Sequence, residues 1–391
     1  MREEQINSEV RRLQISGIRQ FFNQVQAYPD AVQLTLGQPD FPTPEHIKQA
    51  AKSAVDQNKT TYTANAGTME LRSAAAAWLA EKYDLHYASD TEVIVTVGAS
   101  QALDVTMRTI LEPGDEVIIP APVYPAYEPL VRQCGAEVVY ADTRATSFML
   151  TPDHLNELIT DKTKAVMLPY PSNPTGRVMK REEMEALHRI LKEKELFVIC
   201  DEIYSELRYD GTHESIASLP EMKEKTIVIN GLSKSHSMTG WRIGFLFAPA
   251  WIASHMIKVH QYNVSCASSV SQAAALEALT KGSGDPEAMR KEYAQRRRFV
   301  VDSLRDIGVP VVEPEGAFYV FPDISSSGLS SEAFAVQLLD QEELAVVPGT
   351  AFSNFGEGGV RLSYAYSMRE LEEAIERFRR FWSRCVPQRS G

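Results

Sequence analysis

The sequence predicts an α/β protein: a mostly parallel sheet covered by helices on both faces, joined to a smaller α+β domain. Three observations lead there. From residue 93 onward, short runs rich in β-branched residues alternate with longer segments of helical periodicity. Near residue 280 the alternation gives way to a long charged helix and scattered strands. The 391 residues, 44% of them hydrophobic, suffice for one large core and a second, smaller one.

In chain order, the expected strands of the sheet are Val93–Val97, Glu116–Ile119, Glu137–Tyr140, Ala165–Leu168, Phe197–Cys200, Thr226–Ile229 and Ile243–Phe247. Nearly continuous apolar runs suit strands buried on both faces. Among the crossover helices are Gln101–Leu111, Thr151–Ile159 and Arg181–Glu195, the last placing Met184, Leu187, Ile190 and Leu191 on one face. Beyond residue 280 come a charged helix, Pro286–Leu304, strands around Gly316–Phe321, Leu344–Val347 and Val360–Ser363, and a terminal helix from Met368. The Pro-rich stretch Gly37–Pro44 cannot be helical throughout and reads as an extended arm or crossover. The division that follows is residues 45–280 for a large domain, and residues 1–44 with 281–391 for a small domain with an N-terminal arm.

Forty basic residues against 52 acidic ones leave a net charge of −12, which repels a phosphate backbone or an anionic membrane surface over most of the exterior. Neither nucleic acid nor membrane is an expected partner. Met1–Gln14 is charged and lacks the apolar core of a signal peptide, and no apolar run has the length of a membrane span, so a cytoplasmic location is the default expectation. The four cysteines form no C-x-x-C pair and no histidine pair has zinc spacing; neither a disulfide framework nor a metal site is expected.

The chemistry centres on Lys234, where the apolar run Thr226–Ile229 passes into the polar turn Gly231-Leu-Ser-Lys-Ser235. Ligands of open α/β sheets collect outside the C-terminal ends of strands, and a lysine desolvated there has a lowered pKa and becomes a usable amine. It can then form an imine with an aldehyde cofactor. An ordinary solvated lysine is the competing explanation, and its neighbours weigh against that: Ser233 and Arg242 offer a hydroxyl and a guanidinium for one phosphate. Ala99 and Ser100, in a turn between the strand Val93–Val97 and a helix, offer backbone amides for the same purpose, although many such turns hold nothing.

Asp201 ends the run Phe197–Cys200 and can pair with a protonated pyridine nitrogen; taken alone, helix capping or a turn explains it better. Tyr204, and Asn173 in Pro171-Ser-Asn-Pro-Thr-Gly176, can each hydrogen-bond a ring oxygen, while a tight turn accounts for the Asn-Pro-x-Gly by itself. Tyr124 can stack on a flat ring or simply pack. Arg361 stands inside an apolar strand, a costly place without an anionic partner. A substrate carboxylate or an internal Asp or Glu would serve.

In this order along the chain, Gly98-Ala-Ser100, Pro-x-Tyr124, Asn173-Pro-x-Gly176, Asp201-x-x-Tyr204, Ser233-Lys234 with Arg242, and Arg361 resemble the fold-type I, class I/II aminotransferases. The resemblance covers nearly the whole chain. It implies pyridoxal 5′-phosphate as cofactor, a large domain with a mainly parallel seven-stranded sheet, a small α+β domain, and a homodimer with its sites at the subunit interface. It assigns Ala99, Ser100, Tyr124, Asn173, Asp201, Tyr204, Ser233, Lys234 and Arg242 to the cofactor, Tyr62 to the neighbouring subunit's cofactor phosphate, and Gly37, Asn173 and Arg361 to the substrate. Leu13–Arg19, Leu36–Asp40 and Gly231–Arg242 are similar to the aminotransferase A group, associated with N-acetyl-LL-2,6-diaminopimelate in lysine synthesis. Some aspartate transaminases of this branch carry a lysine where Ser100 stands, a departure that argues against a dicarboxylate specialist.

The expected mechanism is transamination between an L-amino acid and a 2-oxo acid, with 2-oxoglutarate the expected acceptor. Lys234 would hold the cofactor and then move the proton from Cα to C4′, with Asp201 keeping the ring nitrogen protonated. Alternatives within the same scaffold are a broad-specificity aspartate, alanine or aromatic aminotransferase and a C–S β-lyase.

Overall fold

The computed structural model describes residues 3–386. The chain opens with helices α1 (Ser8–Arg12) and α2 (Gly17–Val25), a short strand β1 (Val32–Gln33), an extended Pro-rich segment, and helices α3 (Glu45–Asp56) and α4 (Met69–Tyr83). Thr68 caps α4, its side chain accepting from the Leu71 amide.

The sheet then forms from β2 (Val93–Thr96), β3 (Glu116–Ala121), β4 (Glu137–Asp142), β5 (Thr163–Leu168), β6 (Phe197–Asp201), β7 (Thr226–Gly231) and β8 (Gly244–Phe247). Between them run α5 (Gly98–Ile110), α6 (Tyr127–Gln133), α7 (Pro152–Leu158) and α8 (Arg181–Leu191). The strand order is β2-β8-β7-β6-β5-β3-β4. Every pairing is parallel except those of β8, which runs antiparallel to both β2 and β7. Side chains alternate strictly between two apolar layers. Val93, Val95, Val198, Cys200, Val228, Phe245 and Phe247 enter one, while Ile94, Ile199, Ile227, Ile229 and Leu246 enter the other. Helix α8 buries Met184, Leu187 and Leu191 as the periodicity predicts, but Ile190 only partly.

Helices α9 (Ala250–Val264), α10 (Ser269–Lys281) and α11 (Asp285–Asp306) lead into strand β9 (Tyr319–Val320), helix α12 (Ser331–Glu342), strands β10 (Leu344–Ala345), β11 (Val347–Pro348) and β12 (Val360–Ser363), and helix α13 (Met368–Cys385). The stretch Leu344–Val347, expected as one strand, splits at Val346: β10 pairs with β1, and β11 pairs with β12. A second core gathers Phe21, Val25 and Leu34 from the N-terminal segment with Tyr293, Phe334 and Phe378 from the C-terminal one, and takes in Tyr204 and Leu207 from beyond β6. All four cysteines are free. Among the described residues no helix is long and apolar enough to cross a membrane, and no group of side chains could hold a metal ion.

Candidate active site

Because β8 is antiparallel, β2 runs parallel to β7, and the C-terminal ends of β2, β3, β5, β6 and β7 all open on one edge of the sheet. The loops leaving those ends line one cavity of about 970 Å³. β2 delivers Ala99 and Ser100, β3 delivers Tyr124, β5 delivers Asn173, β6 delivers Asp201 and Tyr204, and β7 delivers Ser233 and Lys234. Reversal of the chain into β8 returns Arg242 to the same edge, Gly231 of β7 lying opposite Gly244 of β8. Gly37 and Arg361 complete the cavity from the second core's side. Tyr62 is not brought there; its ring stands on the surface, 87% exposed.

Lys234 is partly buried and its ammonium donates to the Gly37 carbonyl at 2.5 Å. Loss of hydration, reinforced by the guanidiniums of Arg361 and Arg242 and opposed by Asp201, brings its pKa down to about 8. Asp201 is pushed the other way, to about 6, chiefly by burial. The Tyr127 hydroxyl, donating at 2.8 Å, and the Ile203 amide restrain that rise. An acid and a base so displaced toward each other in one cavity mark a site built for proton chemistry.

Arg361 lies in β12 and is 1% exposed. Its guanidinium donates to Asn173 Oδ1 at 2.9 Å and to the Thr35 carbonyl at 2.6 Å, and sits 4.4 Å from the centre of the Tyr319 ring and 4.9 Å from that of Phe352. Of the two partners the sequence allows, no internal carboxylate is present among the described residues, and the Arg361 Nε is buried with no partner. The aromatic faces and two neutral oxygens hold the charge in place while leaving it uncompensated.

Other contacts show how closely the cavity is built. Gly98 has φ +76°, and a Cβ there would meet Arg242 Nη2 at 2.6 Å, so both backbone and space require glycine beside that guanidinium. Arg242 is held in turn by the Thr239 carbonyl at 2.9 Å. A Cβ on Gly37 would lie 2.7 Å from the Tyr319 hydroxyl. Tyr204 hydrogen-bonds that same hydroxyl at 2.8 Å, so part of its capacity goes to a neighbouring tyrosine. Tyr319, Tyr127, Thr35 and Arg19 also belong to the site without having been singled out in the sequence. Tyr319 stands between Phe318 and Val320 in an apolar run and looks like core; Tyr127 opens a helix, and nothing local marks it.

The residues fit a phosphorylated pyridine aldehyde. A buried carboxylate stands where only a cationic partner would keep it ionised cheaply, a desolvated amine lines the same cavity, and Arg242 adjoins the start of α5, whose amides favour an anion. Fold and site together define an enzyme of amino-group chemistry on an α/β scaffold. The chain belongs to the aminotransferase class I and II family, whose model matches residues 29–378. It is therefore a pyridoxal-phosphate-dependent transaminase. It is 53% identical over 379 residues to a probable N-acetyl-LL-diaminopimelate aminotransferase of Bacillus subtilis, spanning 97% of this chain and 96% of that one. An aspartate aminotransferase of Pyrococcus abyssi is 43% identical, over 93% and 94% of the two chains. Among solved structures, the aspartate aminotransferase of Thermus thermophilus with maleate superposes with a TM-score of 0.92 at 38% identity, covering 97% of this chain and all of the other.

Proposed function

We propose that Lys234 is the catalytic amine of this transaminase and that the cavity holds the cofactor and the amino acid together. Ala99, Ser100, Ser233 and Arg242 hold the phosphate, Asp201 faces the ring nitrogen, Tyr124 packs on the ring, and Asn173 and Tyr204 serve its oxygen. Asn173 accepts from Arg361 through Oδ1, which leaves its amide N–H groups free to donate. Tyr62 reaches the phosphate of a neighbouring subunit in a cytoplasmic homodimer. Pyridoxal phosphate, when bound, supplies an electron sink for the pair released at Cα.

The observation that carries the substrate side is Arg361, a buried cation that pairs with no carboxylate among the described residues and lines the same cavity as Lys234. Its fork takes the α-carboxylate, with Gly37 and Asn173 beside it, and so fixes Cα within reach of the Lys234 nitrogen. Once free, that nitrogen takes the Cα proton, for which a pKa lowered toward neutrality is suited. The donor we propose is N-acetyl-LL-2,6-diaminopimelate, with 2-oxoglutarate as acceptor, on the name carried by the relative at 53% identity. The aspartate-named relative at 43% keeps a broader specificity as the second reading. Single-turnover reaction of the holoenzyme with individual amino acids, followed through the bound cofactor's absorbance, tests both: N-acetyl-diaminopimelate should react fastest. Preference for aspartate would replace the first reading with the second, and no reaction with any amino acid would overturn both.

A further inference from the structure

The segment from Thr35 to Thr43 touches the functional cations of the cavity at two points, yet it has no regular structure. It lies in no helix or strand, and no backbone–backbone hydrogen bond holds it among the described residues. Its carbonyls make the contacts: Thr35 accepts from the Arg361 guanidinium and Gly37 from the Lys234 ammonium. With no ladder to fix them, the positions of these oxygens depend on side-chain anchors.

The anchors lie on both sides of Gly37. Before it, the Leu36 amide donates to the Tyr366 hydroxyl at 3.2 Å. After it, Asp40 accepts from the Tyr293 hydroxyl at 3.0 Å and from the Arg296 guanidinium at 2.8 Å. Both donors project from α11 and are buried. Glu292, one turn earlier, accepts from the same guanidinium at 3.1 Å. Phe41 follows Asp40 onto the helix, its ring perpendicular to that of Tyr293 with centres 5.5 Å apart, and 5.3 Å from the Arg296 guanidinium. Thr43 ties the far end to the turn between Lys234 and Arg242. Its hydroxyl donates to the Ser237 carbonyl at 2.6 Å and accepts from the Trp241 indole at 3.0 Å. Asp40, Tyr293 and Arg296 do not themselves line the cavity, so whatever they contribute reaches it through the segment they hold.

We infer that Asp40 is a positioning residue for the transamination: clamped by Arg296 and Tyr293, it fixes the Gly37 carbonyl against the Lys234 amine. The inference rests on Lys234 being the reactive amine. Around that nitrogen also stand Asp201 of β6, Arg361 of β12, Arg242 and, 5.7 Å away, the Tyr204 ring, all retained in the variants below. An acceptor held against an ammonium favours the charged form, so a loosened Gly37 carbonyl lets the amine lose its proton at lower pH. The test is reductive labelling of the full chain, stripped of cofactor, with pyridoxal and cyanoborohydride across pH, the modified lysine being identified by peptide mass. In the unmodified chain the label should fall on Lys234 with a half-rise near pH 8. Asp40→Ala and Arg296→Gln should each lower that midpoint by about one pH unit, the size of a weakened charge-assisted hydrogen bond. Tyr293→Phe, which removes one hydroxyl and keeps the packing, should lower it less, and Arg296→Lys should stay closer to the unmodified chain than Arg296→Gln. A direct field effect predicts opposite signs instead, downward for loss of the Asp40 carboxylate and upward for loss of the Arg296 guanidinium. Opposite signs, or an unmoved midpoint in Asp40→Ala and Tyr293→Phe, would overturn the assignment. Label on a different lysine of the unmodified chain would refute the reading of Lys234, and this assignment with it.

Discussion

At the scale of single residues, the site works by moving ionisable groups away from their ordinary states, and pH experiments read this directly. Asp201 rises from a usual value of 3.8 to about 6 on folding. A carboxyl raised in this way costs nothing below pH 4 and progressively destabilises the cofactor-free chain as pH climbs through 6, by about 3 kcal/mol in full. Asp201→Asn removes that cost, so the cofactor-free variant should match the parent chain in denaturant near pH 4 and exceed it near pH 7. Lys234 falls from 10.5 to about 8, so trapping of its amine by a simple aldehyde should accelerate as pH rises through 8. A half-rise near 10.5 would show a solvated side chain. Lys234→Ala should abolish turnover, since no other amine in the cavity can take the Cα proton. For Arg361→Ala the expected change is a KM for amino acids higher by about 10- to 100-fold with cofactor retained; an unchanged KM would make Arg361 structural only.

At the scale of elements, the strands of the large sheet were legible because burial on both faces writes them as unbroken apolar runs, Thr226–Ile229 being typical. The ladder orientation was not, since nothing in Gly244–Phe247 says that it runs against its neighbours. Helix α4 left little periodic signal because its alanine-rich run carries apolar residues around most of its circumference. The site was legible where motifs end strands, at Lys234, Asp201 and Asn173, and illegible where it depends on tertiary approach, as for Tyr127, Tyr319 and Thr35. The turn joining β11 to β12 shows how tight such approaches become. A Cβ on Gly349 would fall 1.9 Å from the Gly356 carbonyl oxygen, a backbone atom with nowhere to retreat. Gly349→Ala should therefore cost about 1–3 kcal/mol, visible as a lowered thermal midpoint. Since this turn carries Phe352 to Arg361, amino-acid affinity should drop with it.

At the scale of the whole molecule, the chain arranges two cores about one cavity, with Lys234 and Asp201 at the edge of the large sheet and Arg361 in a strand of the second core. The exposed rings of Tyr62, Tyr262 and Trp251 lie outside both cores. Sedimentation at twice the chain's mass would support the proposed dimer, in which Tyr62→Phe weakens cofactor retention. The position of β8 also bears on biosynthesis. Strand β2 is apolar and fully buried in the finished sheet, yet its sheet neighbour is β8, whose residues are joined to the growing polypeptide roughly 150 positions later. At ~5–20 residues per second the ribosome needs about 8–30 seconds to supply that neighbour. Throughout that interval Val93–Thr96 has no strand to pair with, so the large sheet cannot close at this end before β8 has been made.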